Sequence, residues 1–269
     1  MCSFDSVPVV CSTRYHTVDT LVPCLRLDAS AQDRRQALLV LNNLCIPPEN
    51  KRTILLGPSR DDLLPALLAI LRQKLPESHL VVACLFYLSF FEETKRILFH
   101  YVPTVALKHA DQDTPEEYNF TQPTEKKDSL LRILERVTYE FVPYYVKHIE
   151  SVMYDDKDGN KRLPKSVEAS TLRWTFCLLR NLSTQRDHAT LLATSTKFPA
   201  AALEILKATA AYTDLSLWSH DSLPETCLVF WVWLVQASDE ACRHLQRQFD
   251  DEAGMSAIKI LKPITEQTG

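Results

Sequence analysis

Histidine and cysteine are the residue types in this chain best able to do nucleophilic or metal chemistry. The eight histidines are scattered singly, and pairs such as Asp187-His188 and His220-Asp221 are chain neighbours that point in different directions on a helix. The sequence contains no H-E-x-x-H, G-x-S-x-G or G-x-x-x-x-G-K-[ST] motif. We therefore expect no enzymatic activity and no cofactor.

Metal-ligand spacing is missing as well. None of the eight cysteines forms a C-x-x-C pair, and no histidine cluster has the spacing of zinc ligands. Residues 155–160 read DDKDGN and suggest a calcium loop, in which Gly159 would take the sixth position. Tyr154 then falls at the first ligand position and Lys165 where a bidentate glutamate belongs. We expect a polar turn there and no metal site.

Polar and aromatic side chains that could contact another protein are the stronger candidates. An asparagine amide pairs with a peptide backbone as donor and acceptor, and tyrosine or tryptophan supplies large, fairly rigid contact area. The candidates that share or adjoin one recurring helical position are Asn42, Asn43, Tyr87, Arg180, Asn181 and Trp233. The alternative is that Asn43 and Asn181 bond local backbone while Tyr87 and Trp233 lie in the core.

Composition limits the elements that could position these side chains. Only four of the 269 residues are glycine, and sheet proteins and phosphate-binding loops rely on glycine for their turns. A content of 46% hydrophobic and 24% charged residues is typical of a soluble globular chain. The net charge of −4 gives no overall basic field, so we expect no nucleic-acid partner. The sequence predicts an all-α fold.

An internal repeat indicates how the helices are organised. Residues 36–45 read QALLVLNNLC and are followed by a polar turn and a short apolar segment, an order that recurs three more times. The last leucines of the four copies are Leu44, Leu88, Leu182 and Leu234, at intervals of 44, 94 and 52 residues. Because the middle interval is close to two periods, we expect a divergent unit around residues 130–154.

Each unit has helical periodicity. In the first copy Leu38, Leu41 and Leu44 recur at three-residue steps, as on one face of a helix. A short second helix follows, and then a further apolar run; these runs are residues 63–71, 102–107, 198–206 and 255–261. A unit is therefore a long helix, a short helix and a medium helix.

These units resemble armadillo repeats. In that family the third helix typically ends in A-L-x-N-L-[SA], which residues 40–44 (VLNNL) and 178–183 (LLRNLS) match, and residues 62–71 (DLLPALLAIL) match a later helix of the motif. The likeness covers roughly residues 30–110 and 166–264, with HEAT repeats as the nearest alternative family. It implies a right-handed superhelical solenoid of about five to six units in a single domain, residues 1–269.

The resemblance also implies a mode of action, because the third helices of this family line a concave face on which extended peptides lie. We expect a scaffold or adaptor that binds a protein or peptide segment through the six candidate residues. A transport or regulatory helical-repeat protein is the alternative, such as a nuclear-transport or GTPase-regulating one, and nucleic-acid binding is a weaker one. Leu39 and Cys177 stand where import-cargo receptors have tryptophan, which argues against that activity.

The fourth copy of the repeat is rich in aromatic residues, and several other segments of the chain lack the repeat pattern. Residues 228–235 are apolar on all sides, which predicts a helix buried nearly all round. We expect residues 1–15 to be poorly structured and residues 111–126 and 155–165 to be surface loops. No signal peptide or spanning segment is evident, so we expect a cytoplasmic or nuclear protein without a membrane partner. The last apolar run has no polar cap, which suggests self-association through solenoid ends or a longer parent protein.

Overall fold

The computed structural model describes residues 14–102, 129–155, 166–210 and 222–253, and every regular element in these ranges is helical. The all-α prediction is therefore confirmed for the described part of the chain. Residues 14 and 15 begin the first helix and Asp155 ends another. Apart from those residues, the expected segments 1–15, 111–126 and 155–165 lie outside the described residues, as does the apolar run 255–261.

The described residues form twelve α-helices and one 3₁₀ helix, Val22–Leu25. In chain order the α-helices are α1 (Arg14–Leu21), α2 (Ala31–Leu44), α3 (Pro48–Leu56), α4 (Arg60–Arg72), α5 (Ser78–Leu88), α6 (Glu92–His100), α7 (Leu130–Asp155), α8 (Val167–Leu182), α9 (Arg186–Ser195), α10 (Phe198–Ala210), α11 (Leu223–Ala237) and α12 (Asp239–Ala253).

Three of the long helices begin with a serine cap. Helices α2, α8 and α11 follow Ser30, Ser166 and Ser222, and each serine Oγ accepts a hydrogen bond from the backbone amide three residues on, at 3.0, 3.0 and 3.3 Å. A cap of this kind satisfies an amide that has no partner inside the helix and contributes about 1 kcal/mol. The start of these helices is thus encoded locally.

Helices three apart in chain order pack against each other. In one layer α2 packs on α5, α5 on α8 and α8 on α11, and we call these the third helices. In a second layer α4 packs on α7 and α7 on α10, and we call these the middle helices. In a third layer α3 contacts α6 and α9 contacts α12. The chain therefore repeats a three-helix unit whose members meet their counterparts in the next unit.

One contact after the third helix recurs in two units. Asn50 Nδ2 donates a hydrogen bond to the carbonyl of Leu44 at 2.9 Å, and His188 Nδ1 lies 3.3 Å from the carbonyl of Leu182. Each polar side chain comes six residues after the last leucine of its third helix. The last carbonyls of a helix lack hydrogen-bond partners within the helix. In both units a polar side chain at the same repeat position supplies a partner for the carbonyl of the last leucine.

The structure differs from the sequence prediction between Leu88 and Leu182. Residues 130–155 form the single helix α7 instead of a separate three-helix unit, and α7 packs on α4 and α10 as a middle helix. Helices α5 and α8 pack directly, so they belong to consecutive units. The interval between the last leucines of α5 and α8 is therefore longer than those of the other units, and part of the difference lies in α7, which has 26 residues. The described helices make three complete units and part of another.

The apolar core runs through all of these units. A continuous cluster of buried side chains extends from Val18 to Leu245, and its largest fully buried members are Phe99, Phe176, Phe198 and Phe230. Phe176 of α8 meets Phe230 of α11 with ring centroids 5.6 Å apart. A single unit could not bury these faces alone, so the core is built by stacking neighbours.

Candidate protein-binding surface

Four aromatic side chains meet where α5 and α8 pack together. The ring of Trp174 lies 5.8 Å from that of Tyr87 and 5.3 Å from that of Phe86, and Phe86 lies 5.1 Å from Phe90. We call Phe86, Tyr87, Phe90 and Trp174 the aromatic patch. Tilted and edge-on ring pairs at these distances each contribute about 0.5–1.5 kcal/mol beyond the area they bury. The rings therefore support one another across the joint between two units.

The aromatic patch is buried at one end and exposed at the other. Phe86 is 8% exposed, whereas Phe90 is 49% exposed, and Tyr87 and Trp174 are half-buried. A large ring that is held by neighbours but still half open to water can be covered by another molecule at little cost in side-chain entropy. Phe90 is the part of the patch best placed for such a contact.

Two cations flank the aromatic patch. Lys51 Nζ of α3 lies 4.7 Å from the centroid of the Phe90 ring, and the Arg173 guanidinium carbon lies 5.2 Å from that of Trp174. A cation at such a distance is attracted by the ring's electrons, by about 0.5–2 kcal/mol depending on exposure. Positive charge is therefore held at both ends of a row of rings that runs from the end of α5 to α8.

Asn181 and Tyr87, both expected in the site, are brought together at this joint. Asn181 Nδ2 donates a hydrogen bond to Ser89 Oγ at 3.1 Å, and Ser89 directly precedes Phe90. Arg180 is half-buried, and among the described residues it has no hydrogen-bond or ion-pair partner. Asn181 thus lies beside the aromatic patch, to which Tyr87 itself belongs, and the Arg180 guanidinium keeps its charge available.

The side chain of Asn42 connects two helices and is not part of an exposed binding surface. Its Nδ2 donates hydrogen bonds to the Leu38 carbonyl of its own helix and to the Leu80 carbonyl of α5, both at 2.9 Å. The side chain therefore bridges α2 and α5. Its neighbour Asn43 is exposed. The two adjacent asparagines have different roles because a helix turns by about 100° per residue.

Trp233 lies on the last of the four third helices and is 39% exposed. Val232 and Val235 beside it are also exposed, so the expectation that this helix is buried nearly all round is wrong on this side. Trp231 is buried, and its Nε1 donates a hydrogen bond to the Pro199 carbonyl at 3.2 Å. Asn43 on α2 and Trp233 on α11 thus stand one helix to either side of the α5–α8 joint.

Sequence reasoning missed Phe90, Trp174 and the two flanking cations. The motif comparison considered only the position one helical turn before Asn181, which is occupied by Cys177, a residue that is 8% exposed. Trp174 stands two turns before Asn181, and Arg173 the same distance before Arg180. Residues seven apart share a helix face, so a search over two turns would have found both. No comparable sequence pattern marks Phe90 or Lys51.

A second surface also exposes aromatic side chains. Tyr139 and Tyr144 of α7 are 66% and 67% exposed, and Lys197 Nζ lies 5.3 Å from the Tyr139 ring. Tyr139 lines a shallow pocket between α7 and α10, whose floor includes Val142 and Phe198. We call Tyr139 and this pocket, together with Tyr144 on another side of α7, the middle-helix surface. It offers a rival to the third helices as a place for a partner.

Two histidines far apart in sequence meet between α6 and α9. His188 stacks on Phe99 with centroids 3.7 Å apart and planes inclined by 2°, and it meets His100 edge-on at 5.5 Å. Burial, with a smaller contribution from neighbouring His100, lowers the pKa of His188 to about 4. The imidazole is therefore neutral at physiological pH. Its stacking and its contact with the Leu182 carbonyl assign it a packing role.

Among the described residues, no group of three histidine, cysteine, aspartate or glutamate side chains is placed to hold a metal ion. No described helix has both the length and the apolar character needed to cross a membrane. Comparison with known proteins gives no match to a family model, to a curated protein or to a solved structure.

Proposed function

We propose that this chain is a helical-repeat scaffold that binds an extended segment of another protein across its third helices, without catalysis. The observation that carries the proposal is the aromatic patch, in which Phe90 is half exposed and yet held by Phe86 and Lys51. Aromatic side chains held in this way are typical of binding hot spots. Covering the exposed half of Phe90 would contribute about 1 kcal/mol.

We further propose that the units stack as an armadillo-type, right-handed superhelix. The packing of α2 on α5, α5 on α8 and α8 on α11 supports this arrangement, because equivalent helices of successive units meet in order. In such a stack a small rotation between units curves the layer of third helices into an extended binding face. Asn43, the aromatic patch and Trp233 would then lie along one path.

The polar atoms beside the patch support binding of a peptide backbone. Asn181 uses Nδ2 on Ser89, so its Oδ1 is the atom left to accept a hydrogen bond from a partner's amide. Exposed Asn43 offers both amide atoms. Backbone pairing gives affinity without reading sequence, and the rings supply the apolar contact.

We also propose that the protein acts in a reducing compartment, the cytosol or the nucleus. Cys45 Sγ and Cys84 Sγ lie 3.5 Å apart between α2 and α5, and both cysteines are free thiols. Adjacent thiols that remain unbonded are typical of proteins kept in reducing surroundings.

Affinity capture with two matched double variants tests the proposed function. Phe90→Ala with Trp233→Ala removes exposed rings from the third helices, and Tyr139→Ala with Tyr144→Ala removes exposed rings from the middle-helix surface. We expect the first variant to lose the partners that the wild-type chain captures and the second to keep them. Circular dichroism melting curves check that both variants fold. The reverse pattern, with capture lost only in the second variant, would refute the proposal.

A further inference from the structure

We propose, building on the proposed function, that the segment bound at the α5–α8 joint is an acidic peptide with carboxylates on either side of an apolar side chain. The apolar side chain would cover Phe90. The carboxylates would pair with the cations of the joint, which are Lys51 and Arg173 against rings of the aromatic patch and Arg180 next to Asn181 on α8.

The cations of the joint are the first support for an acidic partner. Other cations of the described residues are paired, such as Arg34 with Glu77 and Arg52 with Glu93. Within the described residues no carboxylate pairs with Lys51 or Arg180. A chain of net charge −4 thus keeps positive charge uncompensated beside Phe90, the most exposed ring of the aromatic patch. Charge of this kind favours an acidic partner.

The position of Lys51 is the second support. Lys51 is only 8% exposed, so its hydrocarbon stem is buried and its ammonium is held over the Phe90 ring. A fixed ammonium loses less side-chain entropy on pairing than a mobile surface lysine does. A carboxylate that follows an apolar side chain on Phe90 would meet this charge without rearrangement.

The spacing of the cations suits an extended peptide. Arg180 comes seven residues after Arg173 on α8, which places their α-carbons roughly 10 Å apart along the helix axis. An extended chain covers that distance in about three residues. Lys51 lies at the far end of the row of rings, beyond Phe90. An extended segment that reaches from Arg173 past Phe90 to Lys51 would therefore place a carboxylate at each end with an apolar residue between them.

Single-stranded nucleic acid is the competing occupant, because it also uses cations and aromatic rings. Bases bind such sites by stacking on ring faces. Lys51 and Arg173 already cover one face of Phe90 and one of Trp174, and Phe86 packs edge-on against Phe90. Faces covered in this way favour a side-chain contact at the exposed part of Phe90 over base stacking.

Selection from a phage-displayed library of random 12-residue peptides on the full chain tests the proposal. We expect selected peptides to be enriched in aspartate and glutamate around an apolar residue. Fluorescein-labelled copies should lose at least tenfold in affinity with Arg180→Glu, measured by fluorescence anisotropy, and less with Arg180→Gln. Arg136→Glu, at an exposed position of α7, is the matched control and should leave the affinity unchanged.

The other possible results distinguish a failure of the acidic-peptide proposal from a failure of the scaffold proposal. Peptides without acidic enrichment that still lose affinity with Phe90→Ala overturn the acidic partner and leave the scaffold intact. Peptides whose affinity is indifferent to Phe90→Ala, or a selection that yields none, overturn the scaffold as well. A labelled oligouridine that binds the wild-type chain more tightly than the peptides, and is released by Arg180→Glu, overturns the acidic peptide in favour of nucleic acid.

Discussion

The α2–α5 joint and the α5–α8 joint hold equivalent places in the repeat and are closed by different chemistry. Asn42 bridges the first joint through the Leu80 carbonyl, and the thiols of Cys45 and Cys84 meet beside it at 3.5 Å. The second joint is closed by the rings of Phe86 and Trp174 and by the hydrogen bond from Asn181 to Ser89. Polar contacts connect the two helices of the first joint. In the second joint, rings and cations remain partly exposed to solvent.

The same repeat position thus takes three roles. Asn42, Phe86 and Arg180 each stand two residues before the last leucine of their third helix. Asn42 bonds the next helix, Phe86 is a nearly buried ring, and Arg180 is an unpaired cation within the described residues. Residues at equivalent positions of the repeat lie in equivalent places, but the contacts each side chain makes depend on its neighbours. We interpret the first joint as a support and the second as the binding site.

The largest expected effect is at the first joint. Arg34 and Glu77 form an ion pair at 3.8 Å, with side chains 9% and 4% exposed. Glu77→Ala would leave the Arg34 guanidinium buried without its carboxylate, which costs about 3–5 kcal/mol of unfolding free energy. Urea denaturation measures this loss. Glu93→Ala, which breaks the exposed pair with Arg52, is the control and should change stability little. Similar losses in both variants would contradict the support role.

The contact between α6 and α9, next to the second joint, should respond to acid. The pKa of His188 is lowered from 6.5 to about 4 by burial, so its contribution to stability is complete above pH 6.5 and is lost as pH falls towards 4. The loss is about 2 kcal/mol between pH 7 and pH 5 and about 3 kcal/mol by pH 4. Urea denaturation at these pH values measures it.

His188→Asn isolates this effect. The first unit has Asn50 at the equivalent position, where it donates to the Leu44 carbonyl without titrating. The variant should therefore keep the hydrogen bond to the carbonyl of Leu182 and flatten the fall in stability between pH 7 and pH 5. If wild type and variant lose the same stability over this range, His188 is not the titrating group.

A smaller loss is expected when the polar bridge is removed. Asn42→Ala deletes the hydrogen bonds to the carbonyls of Leu38 and Leu80 and should cost about 1–2 kcal/mol. Thermal melting followed by circular dichroism measures this change. Asn43→Ala, at the exposed neighbour, should stay within about 0.5 kcal/mol. Equal effects at the two asparagines would remove the distinction between bridge and surface.

The smallest effect on stability is expected at the exposed ring. Phe90→Ala should cost about 1 kcal/mol or less, because half of that side chain is already in water, whereas fully buried Phe99→Ala should cost about 3–5 kcal/mol. The same denaturation curves compare the two. A loss at Phe90 as large as that at Phe99 would show that this ring supports the fold and is not held ready for a partner.

The sequence predicts the helices well because their cause is local. Apolar residues at three- and four-residue steps and the recurring leucines mark the third helices, and polar turns mark their ends. The sequence does not predict how many units separate Leu88 from Leu182. An interval of 94 residues fits two units in length, and only the packing of α5 on α8 shows that they are consecutive.

The candidate site is harder to predict because it depends on how neighbouring helices are staggered. Tyr87 and Asn181 can be placed by their motif positions. The inward turn of Asn42 depends on the Leu80 carbonyl, 38 residues away, and no pattern within α2 reveals it. The row from Lys51 through Phe90 to Trp174 joins α3, α5 and α8 in the same way. Such contacts arise from tertiary packing and leave only a weak trace, such as the seven-residue spacing on α8.

Photo-cross-linking at one position of each exposed surface tests the central claim most directly. A benzophenone analogue of phenylalanine is placed at position 90 of the second joint or at position 139 of the middle-helix surface, in otherwise wild-type chains expressed in cells. The cross-linked products are then compared by mass spectrometry. We expect position 90 to cross-link a partner, with the attachment point in an acidic segment, and position 139 to give none. Cross-links from position 139 alone would contradict the assignment of binding to the third helices.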